Sequence, residues 1–289
     1  MIRFVIPAYN EAENVPRLLA DLAPVARGLG ARVIVVDDGS TDGTAEAVRE
    51  HSRDMHLAVV THSVNRGLGT AINTGIRAAL GESSDDDAIV TLEADTTSNL
   101  ADLPKMLDLF ERGTDVVLAS VYAPGGRIIG VARWRLAASK SVSNAFRLLG
   151  GLRDMHTLSS LYRVYRAGTL RRAADTYGYL LVREPGFAAN VELLLKLYNA
   201  GASVAEVPTV NDWRTRKGES KMQLKPTVIA YMRVMAAHLV GRIQPPAVSP
   251  LADLTAPPAE TAVPAPSDRG EIQSAAVAQP DRRPVAQAG

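Results

Sequence analysis

Short apolar runs alternate with amphipathic stretches along the first 120 residues of the chain. Five runs rich in Val and Ile predict buried strands, at residues 2–6, 33–36, 57–60, 88–92 and 116–119. Four stretches between them have helical periodicity, at residues 12–28, 42–52, 68–80 and 102–112. Strands that alternate with helices in this way predict an α/β fold, in which helices flank a mostly parallel sheet.

The pattern is less regular beyond residue 120. It predicts helices near 134–149, 187–200 and 227–242, and a strand at 203–207. The segment 245–289 contains nine Pro, eleven Ala and no aromatic residue. A segment of this composition cannot bury enough apolar surface to offset the entropy of ordering, which predicts a disordered tail.

Composition and charge exclude several classes of protein. Lys and Arg total 32 against 31 Asp and Glu, and a net charge of +1 argues against a nucleic-acid-binding protein. The absence of Cys excludes a disulfide framework, a thiol nucleophile and a thiolate zinc site. No apolar run reaches the length of about 18 residues that a membrane-spanning helix requires. These totals predict a cytoplasmic enzyme.

Positive charge is concentrated in one segment of the chain. Between Arg127 and Arg172 there are ten Lys or Arg residues and a single acid, Asp154. An imbalance of this size predicts an anionic partner for this part of the molecule. A solvent-exposed helix face is the alternative explanation for the same charges.

Polar residues follow four of the predicted strands, in the segments 7–11 (PAYNE), 36–44 (VDDGSTDGT), 65–69 (NRGLG) and 93–95 (EAD). The carboxyl ends of parallel strands share one edge of the sheet, so these segments are expected to surround one ligand. Taken singly, each has a structural explanation, since Asp42 would cap a helix and Asp38-Gly39 would form a turn.

Two other patterns at these strand ends are incomplete. The segment 38–43 resembles the start of a calcium-binding EF-hand loop, but the twelfth position is Arg49 where a Glu is required. Gly67-x-Gly69 would suit a dinucleotide-binding turn, but the third glycine position is occupied by Ile72.

The segments 6–14 (IPAYNEAEN) and 36–44 resemble those of the family 2 inverting glycosyltransferases, which have the GT-A fold. The likeness is closer to the polyprenol-phosphate sugar transferases of the dolichol-phosphate mannose synthase type, and it continues through 65–67, 159–166, 206–208 and 218–222. The resemblance implies a catalytic GT-A domain over residues 1–225. An amphipathic helix at 226–244 and the tail would follow it.

The resemblance also implies a nucleotide-sugar donor linked to GDP or UDP. The residues that would hold the base, ribose and diphosphate are Pro7, Tyr9, Glu11, Val36, Asp38, Arg66, Glu93, Ala94, Arg214, Arg216 and Lys221. Glu93 and Asp95 stand in the place of the family's Asp-x-Asp, and with Thr97 they would hold Mg²⁺ or Mn²⁺, which prefer oxygen ligands. Three positions depart from the family pattern: Glu93 for Asp, Thr97 for Gln and Val121 for Arg.

A phosphate acceptor suits the basic segment. A phosphomonoester is already an anionic nucleophile at pH 7, so it needs positive charge more than it needs a catalytic base. Because arginine suits bidentate phosphate contact, the predicted acceptor-binding residues are Arg127, Arg133, Arg135, Lys140, Arg163 and Arg166. The predicted catalytic residues are Asp95, Arg133, Arg135 and Arg163.

Two apolar stripes accompany the basic segment. They comprise Trp134, Ala138, Val142, Ala145, Phe146 and Leu149 in one helix, and Val228, Met232, Ala236, Leu239 and Ile243 in the other. Core packing explains either stripe, and so does contact with a membrane interface. Such contact would place the protein peripherally at the inner face of the membrane.

The leading interpretation is a transferase that moves a sugar, of the mannose or glucose type, from a nucleotide-sugar to a polyprenyl phosphate. Two alternatives stay open. A soluble or polysaccharide acceptor would need a catalytic base, for which Asp154 and Glu192 are the available acids. A homologue with weakened catalysis would bind nucleotide-sugars without turnover.

Overall fold

The computed structural model describes residues 1–51, 55–152, 155–178, 180–218 and 223–243. Three features of the sequence-based prediction lie outside the described residues: Asp154, Lys221 and the tail at 245–289.

The described residues form nine strands: β1 (Ile2–Ala8), β2 (Arg32–Asp37), β3 (Leu57–Thr61), β4 (Ala88–Thr91), β5 (Val116–Ser120), β6 (Arg127–Ile129), β7 (Arg163–Arg166), β8 (Val204–Pro208) and β9 (Val210–Asp212). Seven of them make one sheet in the order β3-β2-β1-β4-β7-β5-β8, while β6 and β9 form a separate parallel pair. Within the large sheet only β7 is antiparallel to its neighbours. The predicted mostly parallel sheet is confirmed.

The same ranges contain eight α-helices: α1 (Val15–Gly28), α2 (Thr44–Glu50), α3 (Leu68–Leu80), α4 (Leu103–Glu111), α5 (Arg133–Leu149), α6 (Ala167–Tyr177), α7 (Ala189–Asn199) and α8 (Leu224–Leu239). They flank the sheet and bury both of its faces. Val5 of β1 packs in the same core as Ile72 of α3, whereas Phe4 and Ile6 pack in a second core with Leu19 of α1. Burial on both faces explains why residues 4–8 of β1 are a continuous apolar run.

The predicted elements did not include β6, β7, β9 and α6. β7 carries Arg163 and Arg166 at its two ends, so its sequence has no uninterrupted apolar run. α6 begins directly after it, with Gly168 and Thr169 in the first turn, and both residue types have low helix propensity. Tertiary contacts override these local signals. β7 pairs with β4 and β5, and α6 buries Leu170.

Candidate functional site

The loops that follow β1 and β2 are tied together at the carboxyl edge of the sheet. The backbone N–H of Asn10 donates to the Ser40 hydroxyl, and that of Glu11 donates to the Thr44 hydroxyl, both at 2.9 Å. In return, the N–H of Thr41 donates to the side-chain oxygen of Asn10 at 2.9 Å. Asn10 has a φ of 53°, a left-handed conformation that Asn tolerates. The polar residues at these strand ends therefore build a fixed frame of two loops.

The predicted base- and ribose-binding residues differ in exposure along this frame. Pro7 and Val36 are register partners in β1 and β2. Val36 is fully buried and packs in the core that α3 covers, so its side chain does not face a ligand, and only its backbone is left for the predicted contact. Tyr9 is half-buried. Glu11 is buried and accepts a hydrogen bond from the side-chain amide of Asn14 at 2.6 Å.

Asp38 anchors the loop that follows β3. Its side chain is buried, and its carboxylate accepts the N–H groups of Arg66 at 3.0 Å and Gly67 at 2.7 Å. Nδ1 of His62 lies 2.7 Å from the same carboxylate, and Nε2 lies 3.0 Å from the Thr74 hydroxyl. Asp38 therefore fixes the position of Arg66, whose own side chain is exposed.

Gly67 and Gly69 allow the close approach of another segment of this chain. Gly67 has a φ of +89°, in the left-handed region that favours glycine. A Cβ on Gly69 would clash with the backbone oxygen of Glu184, and the N–H of Gly69 donates to the Pro185 carbonyl at 3.0 Å. The segment 184–185 thus covers the start of α3, which explains these glycines without a dinucleotide.

Asp95 follows β4 and holds its own loop with one carboxylate oxygen. Oδ1 accepts the N–H and the hydroxyl of Thr97 at 3.2 and 2.7 Å. Oδ2 lies 3.1 Å from Nη1 of Arg216. Oδ1 of Asp95 is therefore held by its own loop, whereas Oδ2 is paired with a charged side chain from another part of the chain.

Glu93 has different surroundings from Asp95. Its Oε1 accepts the N–H of Leu161 at 3.0 Å, and its Oε2 accepts the hydroxyl of Ser98. Burial, and secondarily the charge of Asp95, raises the pKa of the Glu93 carboxyl. Protein donors engage both oxygens of each acid. A backbone N–H and a short hydroxyl side chain hold those of Glu93, whereas Oδ2 of Asp95 pairs with a long arginine side chain that can move away, so Asp95 is the better placed of the two to hold a divalent cation. No three His, Cys, Asp or Glu side chains group into a metal site within the described ranges.

Arg216 rather than Arg214 meets these acids. Nη1 of Arg216 lies 3.1 Å from Asp95, and Nη2 lies 3.7 Å from Oε1 of Glu11. Arg214 is exposed and binds Asp212, with Nε donating to Oδ1 at 2.8 Å. The sequence-based prediction placed both arginines at the donor, and the structure brings Arg216 to these acids.

A cavity of about 350 Å³ lies beside Asp95 and Arg216. Its charged lining residues are Glu93, Asp95, Arg135 and Arg216. Most of the remaining wall is apolar and comes from α5, α7, α8 and nearby loops, including Leu136, Val142, Phe146, Phe187, Val191 and Val228. The cavity therefore joins an apolar wall to the cluster of acids and arginines.

The predicted acceptor-binding residues separate into different environments. Arg135 lines the cavity, and its guanidinium lies 5.9 Å from the ring centre of Trp213, which also lines it. Arg133 is exposed at the start of α5 and lies outside the lining. Arg166 stacks on Phe110, 4.3 Å from the ring centre. The side chains of Arg127 and Lys140 are exposed.

Arg163 corrects the prediction, because its side chain is fully buried. Nη1 donates to the carbonyl of Asn190 at 2.8 Å, and Nη2 donates to the carbonyl of Leu158 at 2.6 Å. A guanidinium enclosed in this way does not contact an acceptor phosphate. Arg163 instead fixes the loop 155–161, which forms part of the cavity wall, against α7.

Glu206 is a residue to which the sequence-based prediction gave no role. Its Oε1 accepts the N–H groups of His156 and Thr157, both at 2.8 Å, and its Oε2 lies 2.7 Å from Nδ1 of His156. Thr157 lines the cavity, so Glu206 helps to position that wall. An acid inside the apolar strand β8 is the sequence signal that points to such a role.

Glu192 is engaged in a buried ion pair. Its Oε1 lies 2.7 Å from Nζ of Lys196, and both side chains are buried. Its Oε2 accepts the N–H groups of Arg183 and Glu184 at 2.9 and 2.8 Å. Glu192 therefore holds the segment 183–184 and is not placed as a catalytic base.

The outer faces of α5 and α8 carry exposed apolar side chains. Trp134 is 61% exposed and Leu148 is 77% exposed on α5, and Ile229, Met232 and Leu239 are exposed on α8. The predicted stripes are split, since Phe146 is buried in the core while Trp134 and Leu149 face outward. No helix of the described residues combines the length and hydropathy needed to cross a bilayer.

Comparison with known proteins identifies relatives over most of the described chain. The family model for Glycosyl transferase family 2 matches residues 4–169. The chain is 30% identical over 241 residues to a polyprenol monophosphomannose synthase of Mycolicibacterium smegmatis, covering 83% of this chain and 87% of that protein. It is 29% identical over 233 residues to a dolichol-phosphate mannosyltransferase of Pyrococcus furiosus, covering 80% of this chain. The match spans 62% of that relative, less than two thirds of its length.

The fold also resembles solved structures. One is glucosyl-3-phosphoglycerate synthase from Mycobacterium tuberculosis in complex with Mn²⁺, uridine diphosphate and glucosyl-3-phosphoglycerate. The two chains superpose with a TM-score of 0.60 at 19% identity, covering 86% of this chain and 81% of the other. A likeness at this level of identity concerns the fold alone.

Proposed function

The chain belongs to glycosyl transferase family 2, and on this basis we propose that it transfers a sugar from a nucleotide-sugar to a polyprenyl phosphate with inversion. The observation that carries the proposal is the cavity that joins an apolar wall to Asp95, Arg135 and Arg216. A polyprenyl phosphate has the same two parts, an apolar chain and an anionic head. One relative is named for dolichol phosphate and the other for a polyprenol, and both names support this acceptor class.

The donor lies, in this proposal, against the frame of loops after β1 and β2. Tyr9 and Glu11 contact the base and ribose, and the exposed Arg66 stands at the end of the loop that Asp38 anchors. Arg216 contacts the diphosphate, for which a guanidinium offers paired donors. The donor is GDP- or UDP-linked and carries a hexose of the mannose or glucose type.

Asp95 and Thr97 fit a divalent cation of the Mg²⁺ or Mn²⁺ class. Carboxylate and hydroxyl oxygens are the hard ligands that these ions prefer. Support for the fit comes from Oδ2 of Asp95, which already pairs with the positive charge of Arg216 at 3.1 Å. When bound, such a cation neutralises the charge that develops on the leaving nucleoside diphosphate. The structural neighbour was crystallised with Mn²⁺.

The acceptor phosphate supplies the nucleophile of the reaction. Its oxygen attacks the anomeric carbon of the sugar, and the bond from that carbon to the donor diphosphate breaks on the opposite side. Arg135 holds the acceptor phosphate, and Arg216 holds the leaving diphosphate. The attacking oxygen is already ionised at neutral pH, so no proton has to be removed. This agrees with Glu192, whose carboxylate is occupied by Lys196 and two backbone N–H groups.

The exposed faces of α5 and α8 contact a membrane surface in this proposal. Trp134, Leu148 and Met232 are apolar and exposed, and they share these helices with exposed Arg133 and Arg233. Apolar side chains beside basic residues bind the interface of a membrane that contains anionic lipid. The same two helices line the cavity, so this contact would bring the lipid acceptor to the site from the inner face of the membrane.

We also assign α8 to the catalytic unit. Val228 and Tyr231 of α8 line the cavity, so the segment 226–244 works together with residues 1–225 rather than as a separate module. The tail at 245–289 carries no residue that this assignment needs.

A donor and acceptor screen tests the proposal. The full chain is incubated with GDP- and UDP-linked hexoses, with Mg²⁺ or Mn²⁺, and with either a short-chain polyprenyl phosphate or phosphoglyceric acid. Mass spectrometry is expected to find the sugar on the polyprenyl phosphate, only when metal is present. A product on phosphoglyceric acid alone would replace the lipid acceptor by a soluble one. Donor binding without any product would indicate a nucleotide-sugar-binding protein.

A further inference from the structure

Arg216 lies between two acids that belong to different parts of the donor site. Nη1 lies 3.1 Å from Oδ2 of Asp95, and Nη2 lies 3.7 Å from Oε1 of Glu11. Only 10% of the Arg216 side chain is exposed. The carboxylate oxygen assigned to the metal is therefore already paired with a positive charge inside the protein.

We propose that Arg216 keeps a divalent cation from Asp95 until a nucleoside diphosphate binds, so that metal and nucleotide bind cooperatively. This inference rests on the proposed function, because it takes Asp95 as the metal ligand. A guanidinium and a divalent cation compete for the same oxygen, and their like charges repel. A diphosphate removes this competition, since the guanidinium binds phosphate oxygens bidentately and releases Asp95.

The Arg216 guanidinium transfers from Asp95 to a diphosphate by a change of its side-chain conformation, because hydrogen bonds hold the backbone on either side of it. The hydroxyl of Thr215 donates to the carbonyl of Thr96 at 3.0 Å. The N–H of Lys217 donates to the side-chain oxygen of Asn14 at 2.9 Å. Both neighbours of Arg216 in the chain are thus anchored to the loops of the donor site, and the long arginine side chain moves relative to a fixed frame.

Trp213 provides a second surface for the guanidinium. Its ring centre lies 6.0 Å from the Arg216 guanidinium carbon and 5.9 Å from that of Arg135. Aromatic faces attract cations at this range. The Arg216 side chain therefore stays near the cavity when it leaves Asp95, where it can hold a diphosphate.

A titration with Mn²⁺ alone, followed by the electron paramagnetic resonance signal of free Mn²⁺, tests the inference on the full chain. Arg216→Gln removes the charge, and without nucleotide it is expected to bind Mn²⁺ about tenfold more tightly than the wild type, within the usual range of about 5–150-fold for coupled sites. Arg214→Gln is the matched control, because it removes a neighbouring arginine that pairs with Asp212 instead. Arg214→Gln and the charge-conserving Arg216→Lys are expected to keep the wild-type affinity.

A calorimetric titration with GDP or UDP measures the same coupling from the nucleotide side. Each nucleotide is titrated once with Mn²⁺ and once with a chelator. In the nucleotide-bound protein Arg216 has left Asp95, so the affinity of that state for Mn²⁺ is expected to be the same in the wild type and in Arg216→Gln. Linkage then requires the ratio of the two nucleotide affinities to fall in Arg216→Gln by the factor by which its affinity for Mn²⁺ without nucleotide rises. The affinity for nucleotide falls under both conditions, because a phosphate contact is lost.

Two results separate failure of this inference from failure of the proposed function. Equal Mn²⁺ affinity of the wild type and Arg216→Gln, at equal melting temperature, overturns the inference and leaves the proposed function standing. If Asp95→Asn binds Mn²⁺ as the wild type does in the presence of nucleotide, the metal is held elsewhere, and both this inference and the metal site of the proposed function fail. The absence of sugar transfer to a polyprenyl phosphate in the wild type is the separate result that overturns the proposed function. Arg216→Met, which retains the aliphatic part of the side chain, is measured in parallel and is expected to match Arg216→Gln.

Discussion

The part of the molecule before residue 120 and the part after it hold their ligand-facing residues in different ways. In the first part, the loops after β1 and β2 exchange hydrogen bonds, and Asp38 anchors the loop after β3. In the second part, Arg135 lies on α5, and the apolar lining of the cavity depends on how α5, α7 and α8 pack together.

This difference indicates how the proposed function is divided between the two parts. Short polar contacts beside a parallel sheet define a rigid geometry, which suits a donor whose charge must be neutralised at one place. An apolar wall built from helices suits a chain-like lipid, for which apolar area matters more than the placement of each atom. Substitutions in the first part should therefore affect chemistry. Those in the second part should affect stability, the acceptor or the membrane, except at Arg216, which reaches back to Asp95 and Glu11 of the first part.

The largest effect is expected for Asp95→Asn, which tests the first part of the comparison. Asn keeps the size and hydrogen-bonding groups of Asp but loses the charge that holds a cation, so turnover should fall about 1,000-fold, a loss of several kcal/mol in transition-state stabilisation. Steady-state kinetics with a polyprenyl phosphate acceptor measure the loss. Asp212→Asn, which removes the charge that pairs with the exposed Arg214, should remain within about twofold of the wild type. Asp95→Asn with wild-type turnover would remove Asp95 from the metal site.

Arg163→Met should lower the free energy of unfolding by about 3 kcal/mol, because it leaves the buried carbonyls of Asn190 and Leu158 without their donor. Chemical denaturation measures the change. Arg133→Met, at an exposed position of α5, should change stability by less than about 0.5 kcal/mol. Full stability of Arg163→Met together with loss of acceptor use would restore Arg163 to the acceptor site and break the comparison.

Arg135→Gln and Arg133→Gln form a matched pair that sharpens the description of the acceptor side. Arg135 lines the cavity and Arg133 does not. Loss of a charged hydrogen bond to phosphate costs about 1.5–3 kcal/mol, so the KM for the acceptor should rise at least about tenfold in Arg135→Gln. The affinity for the nucleotide should stay within about twofold, and Arg133→Gln should resemble the wild type in a detergent assay. An equal loss of nucleotide and acceptor binding in Arg135→Gln would place that arginine at the donor diphosphate.

The smallest effect is expected for the double substitution Leu148→Ser and Leu149→Ser. Both side chains are exposed at the end of α5, so the melting temperature should be unchanged. Binding to vesicles of anionic phospholipid should weaken about fivefold, since two partly inserted apolar groups are lost. Leu29→Ser, an exposed apolar position just after α1, is the control and should bind vesicles as the wild type does. Unchanged vesicle binding in the double variant would remove this end of α5 from the membrane contact.

The regular part of the fold could be predicted because its local signals agree with its tertiary surroundings. β1, β2, β4 and β5 are mostly buried and rich in Val, Ile or other apolar residues, and β3 is a partly buried apolar run. α3 was predicted with the bounds that it has in the structure, Leu68–Leu80. The positions of Glu93 and Asp95 after β4 followed from the same pattern.

The remaining site residues depend on contacts that spacing along the chain does not reveal. Charged side chains are almost never fully buried without partners, so the position of Arg163 in a basic segment predicts a surface residue. Its burial is explained only by the carbonyls of Asn190 and Leu158, which the sequence does not reveal. Arg214 and Arg216 are equivalent by spacing. What distinguishes them is Asp212, which accepts both the N–H and the guanidinium of Arg214 and leaves Arg216 to meet Asp95.

The position of β7 has a consequence for the order in which the protein is made. β7 comes late in the chain but lies between β4 and β5, pairing Arg166 with Ala88 and Tyr165 with Val116. Until Arg163–Arg166 has left the ribosome, β4 and β5 expose backbone edges that invite pairing with other chains. Contacts this distant in sequence also form slowly, because a long loop must close first. A nascent chain interrupted before β7 is therefore expected to aggregate, even though it already contains every strand that carries the proposed donor site.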